Sequence, residues 1–131
     1  MLRSKKFVFI LVAVGVVLID QLSKVLFAGN LNLNQGISFG FKMPLITNFS
    51  LIVIFGAVLV ILRKQIGHYP LALGLFFGGA VSNLLDRFIY GGVRDFLPIP
   101  LTHLSNNLAD WAIVVGIGLI LIRSLGLKTK R

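Results

Sequence analysis

The residues with the clearest chemical potential are the four aspartates, which are all of the acidic residues in the 131-residue chain: Asp20, Asp86, Asp95 and Asp110. Two carboxylates held close together cannot both ionise easily, so one of them keeps a proton. One can then act as a general base and the other as a general acid while a water between them attacks a peptide carbonyl. This is the chemistry of an aspartic protease. The spacing alone leaves open which two aspartates form the pair.

Two of the aspartates lie in patterns that a structural role also explains. Asp20 and Lys24 are four residues apart on a predicted helix, which is the spacing of a local ion pair. Asn107 and Asp110 have the spacing of a helix cap followed by an acid in the first turn. We therefore predict a structural pair for Asp20 and Lys24. For Asp110, capping and catalysis both stay open.

The other two aspartates lie beside arginines. Asn83, Asp86 and Arg87 have i, i+3 and i, i+4 spacing, so they are predicted to face one polar cluster at a helix end. Asp95 follows Arg94 in a glycine-containing loop. The alternative to catalysis for Asp95 is a solvated aspartate that Arg94 neutralises.

The composition predicts an integral membrane protein. Hydrophobic residues make up 56% of the chain and charged residues only 13%, whereas soluble domains carry roughly 25% charged residues. The net charge of +9 does not indicate nucleic-acid binding, because no stripe of Lys and Arg with interleaved aromatics is present. The chain has no cysteine, and His68 and His103 have no helical histidine partner, so no metal site is predicted.

Four apolar runs predict an all-α membrane protein with four transmembrane helices, at roughly 7–27, 46–62, 70–87 and 108–125, in one domain of residues 1–131. Residues 32–41 partly alternate polar and apolar side chains, which predicts a short strand or hairpin. Most of the 13 Lys and Arg residues lie beside the two termini and the loop after the second run. The positive-inside rule therefore predicts that both termini are cytoplasmic and that the aspartates lie near the outer face.

Five motifs occur in order along the chain: DQLSK at 20–24, NQGISF at 34–39, GGAVSNLLDR at 78–87, VRDF at 93–96 and NLAD at 107–110. They resemble the D-Q-x-[ST]-K, N-x-G-x-x-F, G-G-A-x-G-N-x-x-D-R, V-x-D-F and N-x-A-D motifs of the bacterial lipoprotein signal peptidase family, also called signal peptidase II. The resemblance covers nearly the whole chain. Ser82 replaces a glycine of the family pattern, and Asn106 stands where the family usually has Phe.

The resemblance implies four transmembrane helices with a small outer β-cradle, and it implies that Asp95 and Asp110 are the catalytic pair. It implies substrate-binding or supporting roles for six further residues: Asn34, Gly36, Asn83, Asp86, Arg87 and Asn107. The implied reaction removes the signal peptide of a diacylglyceryl-modified prolipoprotein just before the lipidated cysteine, at the outer face of the bacterial cytoplasmic membrane. No metal, organic cofactor or nucleic acid is implied. Membrane lipid and globomycin-type inhibitors are the other expected partners.

Two other function classes remain at this stage. In a small four-span transporter, membrane carboxylates would carry coupled protons. Such a protein would place an acidic residue near the middle of the membrane, whereas these four aspartates are predicted to lie near its outer face. The other class is an assembly subunit with buried ion pairs and no chemistry. Cleavage of a lipidated prolipoprotein by the purified protein would separate the peptidase from both.

Overall fold

The computed structural model describes residues 2–35 and 45–126. Within these residues, four α-helices and four short strands follow in chain order: α1 (Leu2–Leu26), β1 (Asn32–Asn34), α2 (Leu45–Leu62), α3 (Pro70–Tyr90), β2 (Val93–Asp95), β3 (Leu97–Pro98), β4 (Ser105–Asn106) and α4 (Leu108–Ser124). The prediction of a mostly helical protein with a small β region is confirmed. Gly36 and the rest of the 36–39 part of the second motif lie outside the described residues.

Two helices are long and apolar enough to cross a membrane by length and composition, Arg3–Leu26 and Pro70–Tyr90, and Ser50–Leu62 is a shorter apolar helix. Large apolar side chains cover their outer surfaces; Phe7 is 65% exposed and Ile89 is 65% exposed. Such a surface is unfavourable in water and is matched by lipid hydrocarbon. The structure therefore fits a membrane, while the number of helices that cross it stays a prediction.

Helix α3 is the central element, and it packs against α1 on one side and α4 on the other. Small residues let the backbones approach closely, as in other membrane helix pairs. A Cβ at Gly78 would lie 2.7 Å from the carbonyl oxygen of Ala13, and a Cβ at Gly79 would collide with the carbonyl oxygen of Ala109. The close packing brings the polar C-terminal half of α3 against the end of α1 and the start of α4.

The ends of α3 have clear local causes. Pro70 occupies the first helical turn, where its missing N–H is not needed. Gly91 ends the helix with φ 73°, and its N–H donates to the carbonyl oxygen of Arg87. A left-handed residue at this position is a common helix stop because glycine adopts it without strain. The chain then turns directly into β2, which carries Asp95.

Two small antiparallel sheets cover this end of the helices. Strand β1 pairs with β2, with Asn32 opposite Asp95 and Asn34 opposite Val93. The strand predicted within 32–41 is therefore present at 32–34, and residues 36–41 lie outside the described part of the chain. Strands β3 and β4 form a second pair between Asp95 and Asp110. The Phe96 ring stacks on Phe27 at 5.2 Å, which holds the sheets against the end of α1.

Candidate active site

Asp95 is the last residue of β2, and its side chain is only 2% exposed. Two amides hold the carboxylate: Asn107 Nδ2 donates to Oδ1 at 2.7 Å, and Asn34 Nδ2 donates to Oδ2 at 3.2 Å. Arg94 does not neutralise it. Successive side chains of a strand point to opposite faces, so Arg94 turns away from Asp95 and pairs with Asp86. The alternative to catalysis, a solvated Asp95 neutralised by Arg94, is therefore not what the structure shows.

Asp110 lies in the first turn of α4, where it forms a capping box with Asn107. The backbone N–H of Asp110 donates to Asn107 Oδ1 at 3.0 Å, and that of Asn107 donates to Asp110 Oδ2 at 3.3 Å. Capping, which the spacing left open as one role of Asp110, is therefore present. It does not use the whole carboxylate, because Asp110 Oδ1 accepts a hydrogen bond from Asn83 Nδ2 at 2.8 Å.

Asp95 and Asp110 line the same cavity, which has a volume of about 260 Å³. Asn107 connects them, because its side-chain amide donates to Asp95 while its oxygen accepts from the backbone of Asp110. The positive charge of Arg87 acts on both carboxylates. The other lining residues are Asn34, Asn83, Val93, Ile99, Leu104, Ser105 and Asn106.

The remaining two aspartates are fully buried outside this cavity. Lys24 Nζ lies 2.6 Å from Asp20 Oδ2 and 2.9 Å from Asp86 Oδ2. The ion pair predicted for Asp20 and Lys24 is therefore present, and it extends to Asp86. Asp86 does not face the cavity with Arg87, because adjacent residues on a helix point ~100° apart.

Three further residues complete this buried group, and spacing along the sequence did not place them there. Arg94 Nη2 donates to Asp86 Oδ1 at 2.8 Å and to Gln21 Oε1 at 2.6 Å. Ser82, which replaces the family's glycine, donates to Asp20 Oδ2 at 2.6 Å. Their signal in the sequence was polarity inside or beside apolar helices. We call the six residues the buried ion cluster: Asp20, Gln21, Lys24, Ser82, Asp86 and Arg94.

Burial raises the pKa of Asp95 from the ordinary value of 3.8 to about 6. The hydrogen bonds from Asn107 and Asn34 oppose this rise because they favour the carboxylate, and the negative charge of Asp110 adds to it. A carboxyl that holds its proton this far towards neutral pH can serve in proton transfer.

The raised pKa of Asp95 predicts a pH-dependent stability. The folded protein binds this proton more tightly than the unfolded chain, so the stabilisation is full below about pH 4 and is lost as the pH rises through about 6. Asp95→Asn removes the effect. The free energy of unfolding of the variant, relative to that of the wild type, should therefore rise between pH 4 and pH 8, by at most ~3 kcal/mol. A stability difference that is constant between these pH values would contradict the raised pKa.

Within residues 2–35 and 45–126, no three His, Cys, Asp or Glu side chains are grouped as a metal site. The charged and amide groups that line the polar cavity are two carboxylates, the side-chain amides of three asparagines and the guanidinium of Arg87. This set can bind a polar backbone segment, hold a water and exchange protons with it.

Residues 12–126 match a family model described as signal peptidase (SPase) II. A lipoprotein signal peptidase of Sulfurovum sp. (strain NBC37-1) is 33% identical, over 88% of this chain and 90% of the relative. One of Helicobacter pylori (strain P12) is 31% identical, over 75% of this chain and 67% of the relative. A solved structure of a bacterial membrane enzyme superposes with a TM-score of 0.75 at 26% identity, covering 94% of this chain and 91% of that one.

Proposed function

Since the chain belongs to the signal peptidase II family, we propose that it is an aspartic endopeptidase of the bacterial cytoplasmic membrane. It removes the signal peptide of diacylglyceryl-modified prolipoproteins by cutting just before the lipidated cysteine. The observation that carries the catalytic assignment is the shared cavity of Asp95 and Asp110, whose two carboxylates are linked through Asn107.

In the proposed mechanism, Asp95 and Asp110 share one proton. The ionised carboxylate takes a proton from a water as the water attacks the scissile carbonyl, and the protonated one stabilises the developing oxyanion by donating a hydrogen bond. The proton taken from water is then given to the leaving amine. Water-filled space between two carboxylates is the geometric requirement of this scheme, and the cavity of about 260 Å³ supports it.

The residues around the pair have proposed supporting roles. Asn34 and Asn107 fix both oxygens of Asp95, and Asn83 fixes one oxygen of Asp110. The positive charge of Arg87 favours the ionised form of the pair and is suited to hold a substrate carbonyl. Gly36 keeps the substrate-binding role that the family resemblance implies.

An apolar groove adjoins the polar cavity, and its presence supports the proposal that the substrate carries a lipid. It has a volume of about 240 Å³ and lies between α2 and α3. Asn83 and Arg87 line both spaces, so an acyl chain in the groove would be attached to a backbone near the carboxylates. The groove walls are Leu51, Ile54, Phe55, Val58, Phe76, Ala80 and Leu84.

The proposed topology has four spans, cytoplasmic termini and an outward-facing active site. The Lys and Arg distribution favours it through the positive-inside rule. Reporter fusions in the 62–65 segment should therefore read as cytoplasmic, and fusions at Leu97 should read as external. An external signal at Gln65 would overturn the orientation together with the outward-facing site.

The proposal is tested by incubating the purified protein with a diacylglyceryl-modified prolipoprotein and with the same polypeptide lacking the lipid. We expect cleavage of the lipidated form, with the new amino terminus at the lipidated cysteine. Cleavage of neither form, or at another bond, would refute the proposal. The transporter alternative gains no support from the family or its relatives.

A further inference from the structure

Arg94 is anchored in the structure through both its side chain and its main chain. Its side chain is buried, and its guanidinium donates to Asp86 and Gln21 while lying over the Tyr90 ring at 4.1 Å. Its backbone N–H also donates to Asp86, at 2.9 Å from Oδ2. One buried carboxylate therefore fixes both the main chain and the side chain of the residue that precedes Asp95.

The same arrangement occurs before the other catalytic candidate. The backbone N–H of Ala109, which precedes Asp110, donates to Asp20 Oδ1 at 2.9 Å. Lys24 joins the two anchoring carboxylates, since it contacts both Asp20 and Asp86. Each aspartate of the cavity is thus tied through its preceding residue to one common cation.

The charges of this group balance. The buried ion cluster contains two carboxylates, one lysine and one arginine, and these four charged side chains are buried. Buried carboxylates need such compensation because they have lost their hydration. If Arg94 were uncharged, Lys24 would be the one remaining cation of the cluster, and the neutral donors Gln21 Nε2 and the backbone N–H of residue 94 would not replace the lost charge on Asp86. Lys24 would then be drawn away from Asp20 and from Asn83 Oδ1, which lies 3.4 Å from it.

We propose that Arg94 is a positioning residue for the peptidase reaction: by compensating Asp86, it keeps Lys24 shared between Asp86 and Asp20 and so fixes the two main-chain segments that carry Asp95 and Asp110. The inference rests on the proposed function. Arg94 acts through Asp86 and does not touch the substrate, because it is not among the residues that line the cavity.

The first variant is Arg94→Met, which keeps the length of the side chain and removes its charge. Displacement of a reacting group by about 1 Å can cost on the order of 100-fold in rate, so we expect kcat for the lipidated prolipoprotein to fall roughly 10- to 100-fold. KM should stay unchanged because the cavity wall is intact. An effect on folded yield alone, with normal kcat per folded molecule, would overturn the inference.

Arg123→Met is the matched control. Arg123 also lies over a tyrosine, Tyr69, at 5.7 Å, and it donates to the carbonyl oxygen of His68. It lies at the opposite end of the helices from the cavity. We expect normal kcat and KM for this variant. A loss of kcat equal to that of Arg94→Met would show a general effect of removing an anchored arginine, and would overturn the specific role of Arg94.

Asp86→Asn combined with Arg94→Met tests the charge argument. The double variant has a balanced cluster again, and the amide oxygen at position 86 still accepts from the backbone of residue 94. We expect a higher kcat than for Arg94→Met alone. A double variant with no recovery would refute compensation of Asp86 as the route by which Arg94 acts.

The remaining outcomes are also decisive. If Arg94→Met does not fold, recovery of folding and of kcat in the double variant supports the inference, and failure of both variants to fold assigns Arg94 to folding alone and overturns it. If the wild type cleaves and all Arg94 variants match it, only the inference fails. If the wild type cleaves nothing, the proposed function fails, and the inference fails with it.

Discussion

Asp95→Asn and Asp110→Asn should each abolish cleavage of a lipidated prolipoprotein while leaving a folded helical protein. An amide keeps the shape and one oxygen of the carboxylate, but it cannot take a proton from water and return it. Removing one acid–base partner typically costs 10²–10⁴-fold in rate. Because the two groups act as a unit, the double variant should be hardly slower than either single variant. The measurement is kcat/KM on matched amounts of folded protein.

The capping role of Asp110 makes asparagine the right substitution there. Its amide oxygen can still accept from the backbone N–H of Asn107, so the start of α4 is retained. Asp20→Asn is the matched control outside the cavity; it should lower stability and leave residual cleavage. A stable Asp110→Asn protein with near-normal cleavage would reduce Asp110 to a helix cap and would refute the proposed pair of Asp95 and Asp110.

Lys24→Met should produce the largest loss of stability. Lys24 is completely buried, and it is the shared partner of Asp20 and Asp86. Its removal leaves two buried carboxylates with Arg94 as the remaining cation of the cluster. Breaking a buried ion pair by removing one partner typically costs about 3–5 kcal/mol. We expect a large fall in folded yield and in the apparent melting temperature in detergent.

Lys6→Met is the control for this variant, because Lys6 is an exposed lysine on the same helix, α1. It should leave the melting temperature nearly unchanged. A Lys24→Met protein as stable as the Lys6→Met protein would contradict the role of Lys24 as the shared cation of Asp20 and Asp86. The same result would contradict the proposal that Arg94 positions Asp95 and Asp110 through Lys24.

Local spacing predicted those features in which the interacting residues lie within one turn of helix. The Asp20–Lys24 pair and the Asn107–Asp110 cap are of this kind, because i, i+4 and i, i+3 neighbours meet on any helix that forms. The apolar composition likewise predicted a membrane protein without knowledge of the fold. The ordered motifs indicated the family, and the match of residues 12–126 to the signal peptidase II family model shows it.

The sequence by itself therefore determined the protein class, the helical segments, the family and the set of four acidic residues among which catalysis was to be sought. Only the tertiary structure brought Asp95 and Asp110 to one cavity and placed Asp20 and Asp86 behind it. The packing of α3 against α1 and α4, and the pairing of β1 with β2, decided this. The contact of Arg94 with Asp86 joins a strand to a helix, and its geometry depends on how the chain turns at Gly91. Spacing along the sequence does not specify such a contact, because the direction of each side chain follows from the packing of separate elements.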